Sequence, residues 1–267
     1  MKSATLEEVT TKPLYQADSL DKQAEKLSND GQWYQAQALL LQSLNLRKKV
    51  LGDKEPAIAF ALDKLGTALL HCHLTGQADS AFAQSVEILE SSYYSGHGYL
   101  APVLEHHVDS LTEEGKLADA ELVLKRALEI YTKTMTKESN STLRCIYKLA
   151  LLYLKQEKAV DAQLILEKAV KQVDTPLGPC AEFRYQLAFA YILQAKFDEA
   201  LKLLQLSMSE FKQRHNFVRV ADCLDTCASL PATSAEKRAD LKNEAKTFRA
   251  RAFFYPSDIF IETLIRG

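Results

Sequence analysis

The sequence predicts an all-α protein, a solenoid of stacked antiparallel helix pairs, and three observations predict it. Glycine and proline together number 16 of 267 residues. That is about half of average usage and leaves few residues for the turns of a β architecture. A short motif recurs five times at intervals near 40 residues, room for two helices and their turns. Within those intervals apolar residues return at three- and four-residue spacing, the period of an amphipathic helix.

Composition narrows the class further. At 47% hydrophobic and 25% charged, the chain has the make-up of a globular protein able to bury a core. The net charge of -2 and pI of about 6.3 supply no basic field for nucleic acid or anionic lipid. The opening MKSATLEEVTTKPLYQ has no apolar core, so no secretory signal is expected. No run approaches the ~18 apolar residues of a transmembrane helix, so membrane insertion is not expected. Cys72, Cys145, Cys180, Cys223 and Cys227 are odd in number and scattered. In a chain this long they read as thiols in a reducing, cytoplasmic setting.

The recurring motif is a glycine, a large residue two later and an alanine three after that. Gly31, Trp33 and Ala36 carry it, then Gly76 and Ala81 with only Ala78 between them, then Gly115, Leu117 and Ala120. Glu157 with Ala159 and Ala162, and Ala195 with Phe197 and Ala200, continue it without the glycine. On this phasing the second alanine recurs at intervals of 45, 39, 42 and 38, with a lengthened second unit.

The helices follow in order. Asp18 is read as an N-cap of the first helix, Asn140 or Ser141 of a later one and Ser234 of the last. In 117–131, Leu117, Ala120, Leu124, Ala127, Leu128 and Tyr131 form one stripe. In 146–154 the stripe is Ile146, Leu149, Ala150 and Tyr153, and in 187–191 it is Leu187, Ala188 and Tyr191. Small alanines alternating with large residues let neighbouring helices approach closely. Pro56, Pro102, Pro176, Pro179 and Pro231 are placed between helices, where a missing N–H costs little.

These sets, with the Leu-Ala-x-x-Tyr pattern of the first helices, resemble the tetratricopeptide repeat. The unit length and the run KKVLGDKEPAIAFALDKLG at 48–66 are similar to the roughly 42-residue variant seen in kinesin light chains. The resemblance covers about residues 18–230. It implies a right-handed α-solenoid of five to six repeats, whose first helices line a concave surface that binds peptides or protein segments. Departures are the missing aromatic near Ala78, the long second unit, and Arg184 where Ile146 stands one unit earlier.

Residues 1–15 are polar and read as a flexible segment. Residues 16–253 form the repeat domain, with 214–229 as a sixth first helix and the charged 234–253 as the end cap that a solenoid requires. The tail 254–267 is apolar again. It either folds back on the last helices or docks into another copy.

No catalytic or metal constellation stands out. His71 and His73 point about 200° apart on a helix and His106 and His107 about 100° apart, so neither pair shares a metal from one helix. Cys223 and Cys227 lie four apart but lack further ligands. GxxxxGK[ST], GxGxxG and GxSxG are absent, removing the commonest phosphate-loop and hydrolase signatures. Gly96-His97-Gly98 reads as a joint, and Asp109 with Glu113 and Glu114 as a solvated acidic run. No enzyme activity, cofactor or metal is expected.

The candidate groove is the exposed face of each first helix. It carries Asp63, Lys64, Thr67 and His71 in the second unit, and Glu105, His106 and Asp109 in the third. The fourth contributes Arg144, Tyr147, Lys148, Leu151 and Lys155, the fifth Glu182, Tyr185, Gln186, Phe189 and Ile192, and the sixth Arg219 and Asp222. Tyr147, Leu151, Tyr185, Phe189 and Ile192 would form an apolar strip, open as anchors or covered by the superhelix or the tail. Arg144 and Lys148 suit a carboxylate partner, while Asp63, Glu105 and Asp109 give the other end acidic character. Some tetratricopeptide proteins clamp a terminal carboxylate with lysines and asparagines; Lys64 and Lys148 are on that face here, but the asparagines are absent. The expected function is a non-catalytic adaptor for a protein or peptide partner. The alternatives are a peptide-switched regulator acting through a partner, or a scaffold that self-associates through an end face or the tail.

Overall fold

The computed structural model describes residues 6–92, 98–135, 139–172, 180–231 and 233–252. Among these residues are twelve α-helices and no strand. They are α1 (Leu6–Asn29), α2 (Trp33–Leu51), α3 (Pro56–His71), α4 (Thr75–Ser92), α5 (Leu100–Glu113), α6 (Leu117–Thr134), α7 (Asn140–Lys155), α8 (Ala159–Gln172), α9 (Cys180–Leu193), α10 (Phe197–Gln213), α11 (Phe217–Ser229) and α12 (Ala235–Ala252). The chain divides into two compact units, Met1–Thr134 with α1–α6 and Met135–Gly267 with α7–α12. Each consists of three helix pairs. The tail 254–267, Gly96, His97, Pro176 and Pro179 lie outside the described residues.

The short connections within pairs reverse the chain and make the paired helices antiparallel, and in four pairs a side-chain contact recurs at a separation of 26 residues. The Ser43 hydroxyl donates to the Ala17 carbonyl at 3.1 Å, and Ser85 donates to Ala59 at 2.7 Å. Tyr131 donates to Glu105 at 3.2 Å across α5 and α6. In the second unit Arg184 pairs with Glu210 at the same separation.

The turn inside five of the six pairs, all but α11–α12, is set by backbone chemistry. The helix ends with a residue in the left-handed region: Gly31, His73, Gly115, Glu157 or Ala195. Its N–H bonds back three residues and the next N–H bonds back five, as in His73 to Leu70 and Leu74 to Leu69. This satisfies orphan carbonyls at the helix end. These positions recur every 42 residues until the last step of 38. The fully buried alanines Ala36, Ala78, Ala120, Ala162 and Ala200 follow the same intervals.

This register corrects the sequence phasing. The second turn is made by His73 and not Gly76, the alanine at the recurring fully buried position is Ala78 and not Ala81, and there is no lengthened unit. Between α10 and α11, His215 makes the same kind of turn at φ 54, so this connection has the tight form otherwise found inside pairs.

Other local expectations are also corrected. α1 begins at Leu6 and passes through Pro13, inside the stretch read as flexible, and Asp18 lies within it. The cap of α7 is Ser139, whose hydroxyl accepts from the Thr142 N–H at 3.2 Å. Pro56 opens α3, where no N–H is needed, and Pro102 sits in the first turn of α5. Ser234 does cap α12, accepting from the Lys237 N–H at 3.3 Å.

Candidate protein-binding face

Within each unit, neighbouring first helices are linked by side chains on one sequence register. Asp21, Asp63 and Glu105 occupy it in the first unit, 42 residues apart; Tyr147 and Tyr185 occupy it in the second. The first three rungs run to the residue just after the register position of the next first helix. Asp21 pairs with Lys64 at 3.7 Å, and Asp63 with His106 Nδ1 at 2.9 Å. Gln186 Nε2 donates to the Tyr147 hydroxyl at 3.0 Å, and the Tyr185 hydroxyl meets Thr226 Oγ1 at 3.4 Å. An aspartate carboxylate makes each rung in the first unit, and uncharged groups make them in the second.

In the first unit the remaining predicted residues are also engaged. Asp21 holds Arg47 at 2.8 Å, Thr67 donates to the Asp63 carbonyl, and His71 stacks on Trp33 with centroids 3.8 Å apart. Glu105 is buried under the Tyr131 hydroxyl, and Asp109 is half-buried. His107 bonds Asp79 at 2.7 Å, and Lys116 bridges Asp79 and Glu114. Burial opposes ionisation of Asp79, but the Lys116 and His107 hydrogen bonds outweigh it and hold its pKa below the ordinary value. This face is a set of inter-helix ties.

The second unit differs. Tyr147 and Tyr185, read as open anchors or as residues covered by the superhelix or the tail, are only 3% and 7% exposed and belong to the packing between first helices. Burial, with Glu182 nearby, pushes the Tyr147 hydroxyl up to about 12. Glu182 is 1% exposed; Arg219 Nε donates to its Oε1 at 2.9 Å, while Oε2 has no partner. Burial raises the Glu182 pKa, and Arg219 works against the rise. Arg219 also pairs with Asp222 and lies 5.4 Å from the Tyr185 ring centroid, a cation–π geometry.

What stays accessible is narrower and apolar. Leu151 is 38% and Leu193 49% exposed, with half-buried Phe189 and Ile192 beside them. Phe189 packs edge-on against Tyr185 at 5.1 Å. Leu151, Leu154, Tyr185, Gln186, Phe189 and Leu193 line a shallow depression of about 380 Å³ between α7 and α9. Half-buried Arg144 and Lys148 and exposed Lys155 share the α7 face with Leu151, at spacings of four, three and four. Leu154 and Leu193 were missed by the sequence reading, although the i, i+4, i+8 series Tyr185, Phe189, Leu193 contains the signal.

The five cysteines are buried thiols; burial pushes Cys227 up to about 11 and raises Cys223 as well. Among the described residues no group of three His, Cys, Asp or Glu is placed to hold a metal ion, and no helix is long and apolar enough to cross a membrane.

No protein-family model and no curated protein matches the chain. Solved structures do. The chain is similar to a Podosopora anserina putative kinesin light chain with nearly identical TPR-like repeats. There the TM-score is 0.70 at 22% identity, over 76% of this chain and 99% of that one. It is similar to YrrB, described as a TPR protein with an unusual peptide-binding site, with TM-score 0.51 and 15% identity over 73% and 86%. It also resembles the Rap conjugation gene regulator of the plasmid pLS20, solved in complex with the Phr* peptide. That likeness has TM-score 0.55 and 13% identity, over 90% of this chain and 62% of that one. The fold is therefore the all-α tetratricopeptide-type repeat.

Proposed function

We propose that this chain is a non-catalytic protein-interaction module, an adaptor working in the cytoplasm, whose second unit takes a peptide or protein segment on its first-helix face. The observation that carries the reading is the depression between α7 and α9, where Leu151, Phe189 and Leu193 stand exposed or half-buried on a rigid helical base. Exposed apolar groups held by packed helices are poised to bury area without reordering. Arg144 and Lys148 beside them complement a carboxylate on the ligand. Asp63, Lys64 and His106 act in this reading as ties between repeats, and Tyr147, Glu182, Tyr185 and Gln186 as the floor that positions the anchors. Two structural neighbours, YrrB and the Rap regulator, are described with a peptide-binding site and a bound peptide respectively, which supports a peptide-sized ligand.

The test is selection from a random peptide display library on the natural chain, with Leu151→Asp and Leu193→Asp chains in parallel. Both side chains are substantially exposed, so the variants keep the fold. Peptides enriched on the natural chain and lost on both variants support the reading. Enrichment equal on all three moves the ligand off this face.

A further inference from the structure

α12 is attached differently from the second helices of the two preceding pairs. Ala245 is its one buried residue, and Leu241, Phe248 and Ala252 are half-buried. By contrast α8 buries Ala162, Leu166 and Ala169, and α10 buries Ala200, Leu204, Ser207 and Phe211. Leu241, Ala245 and Phe248 stand at i, i+4 and i+7, one narrow stripe, on the apolar cluster of α10 and α11. Phe248 meets the Phe217 ring at 5.8 Å. The other ties include ion pairs at the surface: Arg249 with Asp225 at 2.6 Å and Asp222 at 3.4 Å, and Lys212 with Glu244 at 3.6 Å. Pairs this exposed hold a helix weakly.

The fit is also incomplete. A cleft of about 140 Å³ lies between α10, α11 and the N-terminal half of α12, walled by Leu201, Met208, Leu224, Cys227 and Leu241, with Asp198 and Lys237 also on its lining. A cavity of about 150 Å³ lined by apolar side chains is large enough to accept benzene. Leu241 leaves that space unfilled, so α12 occupies a helix-shaped groove without exhausting it.

We propose that the α10–α11 groove is a second binding surface, for an amphipathic helix of a partner protein, and that α12 is its displaceable resident. The groove specifies the incoming helix. It carries apolar residues at i, i+4 and i+7, the first larger than leucine to enter the cleft. The central one is small, because Ala245 is fully buried at that point. A basic residue directly follows the last, as Arg249 follows Phe248, to meet Asp222 and Asp225. This surface is separate from the depression between α7 and α9, so it stands whether or not that depression binds a peptide.

The probe is a fluorescein-labelled peptide of residues 235–252, made with the natural sequence and with Leu241→Phe. It is titrated against the full natural chain and a full-length Arg249→Glu chain, in which the resident helix is repelled by Asp222 and Asp225 while the groove is unchanged. The resident competes from the same chain at an effective concentration in about the millimolar range. The natural chain therefore binds the probe weakly, the Arg249→Glu chain at least about tenfold more tightly, and the Leu241→Phe probe more tightly than the natural-sequence probe. Hydrogen exchange on the natural chain gives an independent readout: α12 amides exchange through a local opening, ahead of those of α10 and α11. Exchange of α12 only together with α10 and α11 overturns the proposal and decides alone if the variant keeps α12 protected. So does failure of the probe to bind an Arg249→Glu chain whose α12 amides have lost protection.

Discussion

Gln186 on α9 donates to the hydroxyl of Tyr147 on α7 at 3.0 Å, and this bond occupies the rung that Asp63 and His106 fill between α3 and α5. The same register is thus kept by aspartate rungs in one unit and by uncharged groups in the other. Tyr147→Phe should cost about 1 kcal/mol, the net value of one hydrogen bond. Tyr147→Ala should cost about 3–5 kcal/mol, because it also leaves a cavity. Urea unfolding measures both. Equal losses would show that the ring is not part of the packing.

The buried pair of Glu182 and Arg219 makes stability depend on pH in a defined direction. Burial raises the Glu182 carboxyl and Arg219 restrains the rise. A carboxyl raised in the folded state contributes stability that is full below its unfolded value and is lost as pH rises through its folded value. Removing Arg219 raises it further. Arg219→Met should therefore cost about 3–5 kcal/mol near neutral pH, with the deficit shrinking as pH falls toward about 5. Adding Glu182→Gln should flatten that pH dependence. Thermal unfolding across this range checks it, and a deficit that grows in acid would refute the account.

Gly66 faces the Phe82 ring, and a Cβ there would lie 2.7 Å from a ring carbon. Gly66→Ala should therefore destabilise by about 1–3 kcal/mol through overpacking, and Phe82→Leu in the same chain should recover part of it. Additive losses in the double variant would rule out direct contact.

Glu157 and Ala195 hold φ of 58° at their turns, a conformation that costs a side-chain-bearing residue about 1–2 kcal/mol. Glycine pays no such penalty but has more freedom to lose. Glu157→Gly and Ala195→Gly should each give a net gain of up to about 1 kcal/mol, seen as a rise of a few degrees in Tm. A fall in Tm for both would mean that side-chain contacts outweigh the backbone.

The helical class and a spacing near 40 residues were legible because they rest on apolar period and on alanines that a close helix contact favours. The phase of the second unit was not. A left-handed turn is usually marked by glycine, and Gly76 offered one three residues from His73, which makes the bond pattern with its backbone alone. The N-terminal half of α1, ahead of Asp18, was hidden by Pro13 and the mostly polar residues around it.

The candidate face was half legible. Helical geometry puts Tyr147 and Leu151 on one side of α7, but whether either is exposed depends on how closely the next first helix approaches. A few tens of degrees of helix rotation decide this, and no single sequence states it. Glu182 is the clearest case. As a charged residue it reads as exposed, and it is buried because Arg219, 37 residues on, reaches back to it.

The most direct test of the central claim is the dissociation constant of a display-selected peptide, measured by fluorescence anisotropy for the natural, Leu151→Asp and Leu193→Asp chains. The depression between α7 and α9 predicts at least about tenfold weaker binding for each variant, about 1.4 kcal/mol or more, with unchanged Tm. Equal affinity across the three chains would contradict it and place peptide recognition elsewhere on the molecule.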